Sequence, residues 1–172
     1  MTFEQLYKLH TDLVYNLALQ YVQNTADAEE IAQDVFMSVH KNMHKFKGKS
    51  SVKTWIYRIT INKSLDFIKA KTRTKRSFFF NSKRLDDPDT HINVSDFDHP
   101  GVLLEQKEEM KRIFDCINEL PERQKTALIL LKIENKTQQE TANIMDCTVK
   151  SIESLYQRAK NKLTQKLAET KE

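Results

Sequence analysis

Apolar residues recur every three to four positions along most of this chain, and the breaks between those runs divide it into helices. The first run puts Phe3, Leu6, Leu9 or His10, Leu13, Leu17 and Tyr21 on one stripe. Thr2 is placed to cap it, with Gln5 closing a capping box, and the helix is expected to end near Gln23. Asn24-Thr25 punctuates the pattern. A second helix then buries Ala28, Ile31, Val35, Val39 and Met43, while Asp27, Glu29 and Glu30 sit at its N-terminal end, where the helix dipole favours negative charge. Glu30, Gln33 and Asp34 project away from the buried stripe. Lys47-Gly48-Lys49-Ser50 reads as a turn, Ser50 or Ser51 as a cap, and a third helix runs from Val52 into a basic tail at Lys69–Arg76 with Ile56, Ile59 and Leu65 inward.

From Ser77 to Gly101 the helical period is lost in a stretch rich in Asp, Asn and Ser with Pro88 and Pro100, which reads as a linker. Phe78–Phe80 are unusual there and are expected to dock on the first domain or on a partner. Periodicity resumes near Val102 with Leu103, Lys107, Met110, Ile113 or Phe114, Ile117 and Leu120, and Pro121 suits the first turn of the next helix, which holds Ala127, Leu128, Leu131 and Ile133. Glu134-Asn135-Lys136 breaks that helix. Thr137-Gln138-Gln139-Glu140 is a second capping box, opening a short helix with Ala142, Ile144 and Met145 inward. Asp146-Cys147 makes a tight turn in which Asp tolerates left-handed geometry. Thr148 caps a last helix whose buried face is Val149, Ile152, Tyr156, Ala159 and Leu163. The expected fold is all-α: two small helical domains, 1–76 and 102–172, joined by a flexible linker at 77–101.

The placement of charge changes this picture from a generic helical protein to one with opposed edges. Lys41–Arg76 holds twelve Lys or Arg against the single acid Asp66, a local charge of +11 in a chain of net +4, so the remainder sums to −7. Residues 1–40 carry six acids and one Lys. Phe46, Trp55, Tyr57 and Phe67 are interleaved with the cations. Such a stretch suits a phosphate backbone, whose counterions it releases, and its aromatics can stack on unpaired bases. The short helix, turn and longer basic helix at the C-terminal end form a helix-turn-helix pattern. Its last helix presents Lys150, Ser151, Glu153, Ser154, Gln157 and Arg158, with Lys160 and Lys162 beyond, side chains able to read base edges in a major groove.

Other classes find little support. No apolar run approaches the ~20 residues of a membrane span, and the N-terminal MTFEQLYKLH lacks the basic start and apolar core of a signal peptide. Cys116 and Cys147 lack a zinc or redox spacing and read as small buried apolar residues, so a reducing compartment is expected and no metal or cofactor. His10, His40, His44, His91 and His99 are scattered, and no ordered set of nucleophile, base and acid accompanies them, so no catalytic residue and no enzyme activity are expected.

Two blocks carry a family resemblance. DAEEIAQDVFMSVHKNMHKF (Asp27–Phe46) followed by SSVKTWIYRITINKSLDFIK (Ser50–Lys69) resembles the core-binding helix and promoter-melting segment of extracytoplasmic-function sigma factors of the sigma-70 family. INELPERQKTALILLKIENKTQQETANIMDCTVKSIESLYQRAKNKL (Ile117–Leu163) resembles that family's region for the upstream −35 promoter element. Two departures stand out: Glu153 where the family often has Lys or Arg, and Leu155 where Arg is common.

The resemblance implies a sigma factor that binds core RNA polymerase, directs it to specific promoters and helps open the −10 element. Core binding carries over to Glu30, Gln33 and Asp34. The loop at Lys47, Lys49 and Ser50 would hold a flipped base, with Lys53, Thr54, Tyr57, Arg58 and Lys63 facing −10 DNA. Trp55 sits either at the melting edge or in the core, with the core favoured because large aromatics usually pack inside. The −35 contacts fall to Lys150, Ser151, Glu153, Ser154, Gln157 and Arg158. Promoter DNA, core polymerase and an anti-sigma factor are the implied partners, with no direct membrane insertion and a cytoplasmic location. The alternative is a two-domain helix-turn-helix transcription regulator that never joins polymerase, which would leave the acidic edge at Asp27–Asp34 without a task.

Overall fold

The computed structural model describes residues 2–82 and 107–169. The first domain consists of α1 (Phe3–Val22), α2 (Thr25–Asn42), a single 3-10 turn (Met43–Lys45) and the long α3 (Val52–Ser82). The second consists of α4 (Lys107–Asn118), α5 (Glu122–Leu128) running on as a π turn over Ile129–Ile133, α6 (Gln138–Met145) and α7 (Val149–Glu169).

Helix ends fall where the side chains satisfy otherwise orphaned backbone groups. Thr2 accepts from the Gln5 amide while Gln5 accepts from that of Thr2, and Thr137 and Glu140 make the same reciprocal pair ahead of α6. Asn24 accepts from Asp27 N–H, Ser51 from Thr54 N–H and Thr148 from Ser151 N–H. Pro121 stands one residue before α5, its carbonyl accepting from Lys125 N–H. Gln23 and Asp146 close α1 and α6 in left-handed geometry at φ 50° and 52°. Glu122–Leu128 ends in a π turn because Glu134 N–H reaches Ile129 O, five residues back.

The three helices of the first domain pack around Leu6, Val14, Ala18, Leu19, Ala28, Ile31, Val35, Val39 and Ile56, all buried. On α1, His10 rather than Leu9 takes the inward position: His10 is buried and Leu9 is 68% exposed. Thr60 and Ser64 lie fully buried on α3, each hydroxyl donating to the carbonyl one turn back, Ile56 O and Thr60 O. These small, internally satisfied side chains remove the cost of burying polar groups where helices approach closely. The second domain packs Phe114, Ile117, Leu120, Leu128 and Ala159 together. Phe114 is its inward residue at the position shared with Ile113.

Helix α3 continues to Ser82, through the Ser77–Ser82 stretch that pattern assigns to the linker. Propagating an existing helix costs little, and no proline follows until Pro88. The docking expected of Phe78–Phe80, the linker beyond Ser82 and the start of the second domain at Val102 lie outside the described residues.

The domains share a third cluster. Leu17 and Tyr21 from α1 and Tyr57 and Ile61 from α3 pack with Ile129, Leu130 and Ile144 of the second domain. Among the described residues no helix is long and apolar enough to cross a membrane.

Candidate polymerase and nucleic-acid interfaces

Burial of Ala28, Ile31, Val35 and Val39 turns the opposite side of α2 to solvent, and Glu30, Gln33 and Asp34 are all exposed there. Met37, 71% exposed, follows on the same side because three- and seven-residue steps return to one helix face. The Lys63 ammonium from α3 stands 3.7 Å from an Asp34 carboxylate oxygen. The acidic and basic edges read from the sequence therefore meet along one seam.

The loop before α3 leaves Lys47, Gly48 and Lys49 exposed and Ser50 half-buried. Gly48 adopts φ +68°, which lets the chain turn sharply, and open space surrounds the position of a Cβ there. Trp55 packs on Phe46 with ring centroids 5.1 Å apart and the planes tilted by 37°, and it also packs against the first-domain core, so it braces the base of this loop. Lys53 is exposed, and Thr54 and Lys63 are half-buried.

Tyr57 and Arg58, which the family resemblance implies would face −10 DNA, face the second domain. Tyr57 is 2% exposed, and its hydroxyl donates to a Glu134 carboxylate oxygen at 2.9 Å. Burial, reinforced by that carboxylate, pushes its phenol well above the ordinary value. The Arg58 guanidinium donates to Ile144 O at 3.1 Å and Asn143 O at 2.6 Å, with Asp146 Oδ1 at 3.5 Å. It thereby covers carbonyls at the C-terminal end of α6, where a cation is favoured.

The last helix of the helix-turn-helix pattern is open to solvent on one side. On α7, Lys150, Glu153, Gln157 and Arg158 are exposed and Ser151 and Ser154 are half-buried, while Ile152 and Ala159 are buried beneath them. Steps of about 100° per residue put these six within one arc of the helix. Ser151 is partly engaged, sharing a 2.9 Å hydrogen bond with the Thr148 hydroxyl at the cap.

Sequence reasoning missed a polar cluster at the domain junction. The Tyr21 hydroxyl donates to Thr126 Oγ1 at 2.9 Å. Lys125, 4% exposed, donates to Asn118 Oδ1 at 2.6 Å and to Tyr21 O at 3.2 Å, and Asn118 donates in turn to Gln23 Oε1 at 2.7 Å. Burial pulls the Lys125 ammonium down to about 8. A lysine in a helix next to apolar residues reads as a solvent-facing position, and its true environment comes from a helix about a hundred residues earlier in the chain.

Comparison with known proteins matches both halves of the chain. The family model for sigma-70 region 2 matches residues 6–74, and that for sigma-70 region 4 matches residues 110–163. The ECF RNA polymerase sigma-E factor of Haemophilus influenzae is 28% identical over 165 residues, covering 96% of this chain and 87% of that protein. The ECF RNA polymerase sigma-E factor of Escherichia coli is 26% identical over 154 residues, covering 90% and 80%. Among solved structures, the sigma factor RpoE in complex with the anti-sigma factor NepR from Bartonella quintana matches with a TM-score of 0.63, at 22% identity and 96% coverage of both chains. CnrH in complex with the cytosolic domain of CnrY matches with a TM-score of 0.64, at 20% identity and coverage of 96% and 87%.

Proposed function

We infer that this chain, which belongs to the extracytoplasmic-function group of the sigma-70 family, docks on core RNA polymerase through the acidic face of α2 and reads a promoter at two places. The observation that carries the reading is the order of units in one chain: an acidic exposed helix face, a basic loop and helix, and an open recognition helix. In this role the Lys47–Ser50 loop and the N-terminal half of α3 engage the opened −10 element, and α7 enters the major groove at −35. Unstacking a base costs a few kcal/mol. A loop that holds the base, with Lys49 and Lys53 on neighbouring phosphates, offsets that cost. The role calls for no chemistry by the chain itself and places it with polymerase in the cytoplasm. An anti-sigma factor is the regulatory partner proposed, by likeness to RpoE and its NepR partner.

The test of the docking face is affinity for core polymerase. Glu30→Lys with Asp34→Lys is expected to weaken binding at least about ten-fold, because charge reversal opposes a complementary surface. Duplex binding through α7 should be unaffected. Unaltered core affinity in a quantitative pull-down would remove this face from the interface and favour a regulator that acts without polymerase.

The −35 assignment predicts a change of preference. Phosphate contacts position the protein and base-edge contacts specify the sequence. Glu153 is exposed on the reading arc, and a carboxylate can accept from cytosine N4. Glu153→Arg is expected to shift the preferred base at one −35 position by about 1–3 kcal/mol. Transcription from a −35 base-substitution series measures this, and identical rankings for both proteins would show that Glu153 reads no base.

A further inference from the structure

We propose that the cavity beside Lys125 binds a small organic monocarboxylate, its carboxylate on the Lys125 ammonium and its apolar body against Val22, Phe67 and Ile68. The cavity measures about 290 Å³, near the lower end of the range that holds small ligands. None of the residues assigned above to polymerase or promoter takes part. Failure of this site therefore leaves those assignments standing, and their failure leaves this site.

Lys125 is a buried charge for which the sigma-factor reading has no use. An ammonium has three N–H donors. Two of them meet neutral oxygens, Tyr21 O at 3.2 Å and Asn118 Oδ1 at 2.6 Å. The Tyr21 ring centroid lies 5.2 Å from the ammonium. Among the described residues no carboxylate pairs with Lys125, although Lys63, Lys69 and Lys71 each have one. Burying a cation among neutral groups costs free energy that an anion at the remaining donor would offset. Asn118 is held with its oxygen towards Lys125, because its amide donates to Gln23 Oε1 at 2.7 Å and Gln23 Nε2 donates in turn to Gln20 O at 2.6 Å.

The other charged groups facing the cavity cancel. Asp27 from α2 and Lys71 from α3 are paired with each other. Burial raises the Tyr21 phenol well above its ordinary value, so it stays neutral. The lining therefore carries one net positive charge, which suits a monoanion. A phosphate dianion suits it less, since it brings a second negative charge beside Asp27 and sets a hydrated ion against Val22, Phe67 and Ile68. The walls come from α1, α2, α3, α4 and α5, so a bound ligand is expected to raise the melting temperature of the whole chain.

The test uses the full chain with benzoate as probe, benzamide as its neutral counterpart and inorganic phosphate as a small-anion control. At neutral pH benzoate is expected to bind with a Kd on the order of 1 mM by isothermal titration and to shift the amide resonances of Asn118 and Lys125. Benzamide should bind at least about ten-fold more weakly, because it offers the ammonium no charge. Benzoate affinity should fall about ten-fold between pH 7 and pH 9, as Lys125 loses its proton around a value of about 8. Asn118→Asp gives Lys125 a carboxylate from the chain itself. It is expected to raise the melting temperature without ligand and to weaken benzoate at least about ten-fold.

No benzoate binding, or equal affinity for benzoate and benzamide, would overturn the site; both measurements use wild type and need no variant that folds. Tighter binding of phosphate than of benzoate would overturn the ligand class. Benzoate affinity that ignores pH, or that is unchanged in folded Asn118→Asp, would overturn Lys125 as the anchor.

Discussion

Replacing Leu17 by alanine is expected to destabilise the chain by about 2–5 kcal/mol and to lower its Tm by roughly 5–15 °C, the largest effect of any single truncation considered. Leu17 is fully buried, and its side chain belongs to the cluster shared by α1, α3 and the π turn of the second domain. Truncation removes the transfer free energy of the lost carbons and leaves a cavity bounded by helices from both domains, which cannot collapse without moving the junction. Leu9→Ala is the control. Leu9 is 68% exposed on the same helix, and its truncation should stay within about 0.5 kcal/mol. Urea denaturation of both variants tests the facing of α1 directly, and equal losses would contradict it.

Stability is expected to rise as pH increases from 8 to 10, by about 2 kcal/mol, and Lys125→Met should abolish that rise. The cause is burial of the Lys125 ammonium against Tyr21 O and Asn118 Oδ1, which draws its titration from the ordinary 10.5 down to about 8. A lysine lowered in the folded state binds fewer protons there than when unfolded. Its cost is therefore fully present below 8 and disappears as pH climbs towards 10.5. Tyr21 and Tyr57 act with the opposite sign. Burial raises both phenols, so their contribution is present below 10 and is lost above it. Wild type and Lys125→Met share both tyrosines, so the difference between the two proteins isolates the lysine. Urea midpoints of wild type and Lys125→Met measured across the pH range of that rise give the difference, and parallel curves would show the ammonium to be solvated and the junction open.

The seam between Asp34 and Lys63 bears on how the proposed functions are separated in experiments. Both groups are partly exposed, and a surface pair of this kind contributes about 0–1 kcal/mol. Charge reversal at Asp34 is therefore expected to have little effect on folding, so a loss of core affinity in that variant would report on the proposed docking face. Lys69 and Glu122, 2.9 Å apart across the domains, are likewise exposed, so the junction rests on its apolar cluster and buried hydrogen bonds rather than on ion pairs.

Much of the architecture was already determined by local sequence. The two capping boxes, the Asn24, Ser51 and Thr148 caps, the left-handed Asp146 and the buried stripes of α2 and α7 depend on side chains within four residues of one another, and such interactions are encoded in spacing. The exposure of Glu30, Gln33 and Asp34 and of the α7 reading arc follows from the same periodicity, because the buried stripe of a helix fixes its opposite face. The tertiary structure decided what no periodicity contains. It chose His10 over Leu9 and Phe114 over Ile113, and buried Lys125. It also turned Tyr57 and Arg58 from solvent towards the second domain. The burial of Lys125 and the facing of Tyr57 and Arg58 rest on contacts between residues some seventy to one hundred positions apart, where a side chain's partner is set by how two amphipathic surfaces meet and not by its neighbours in the chain.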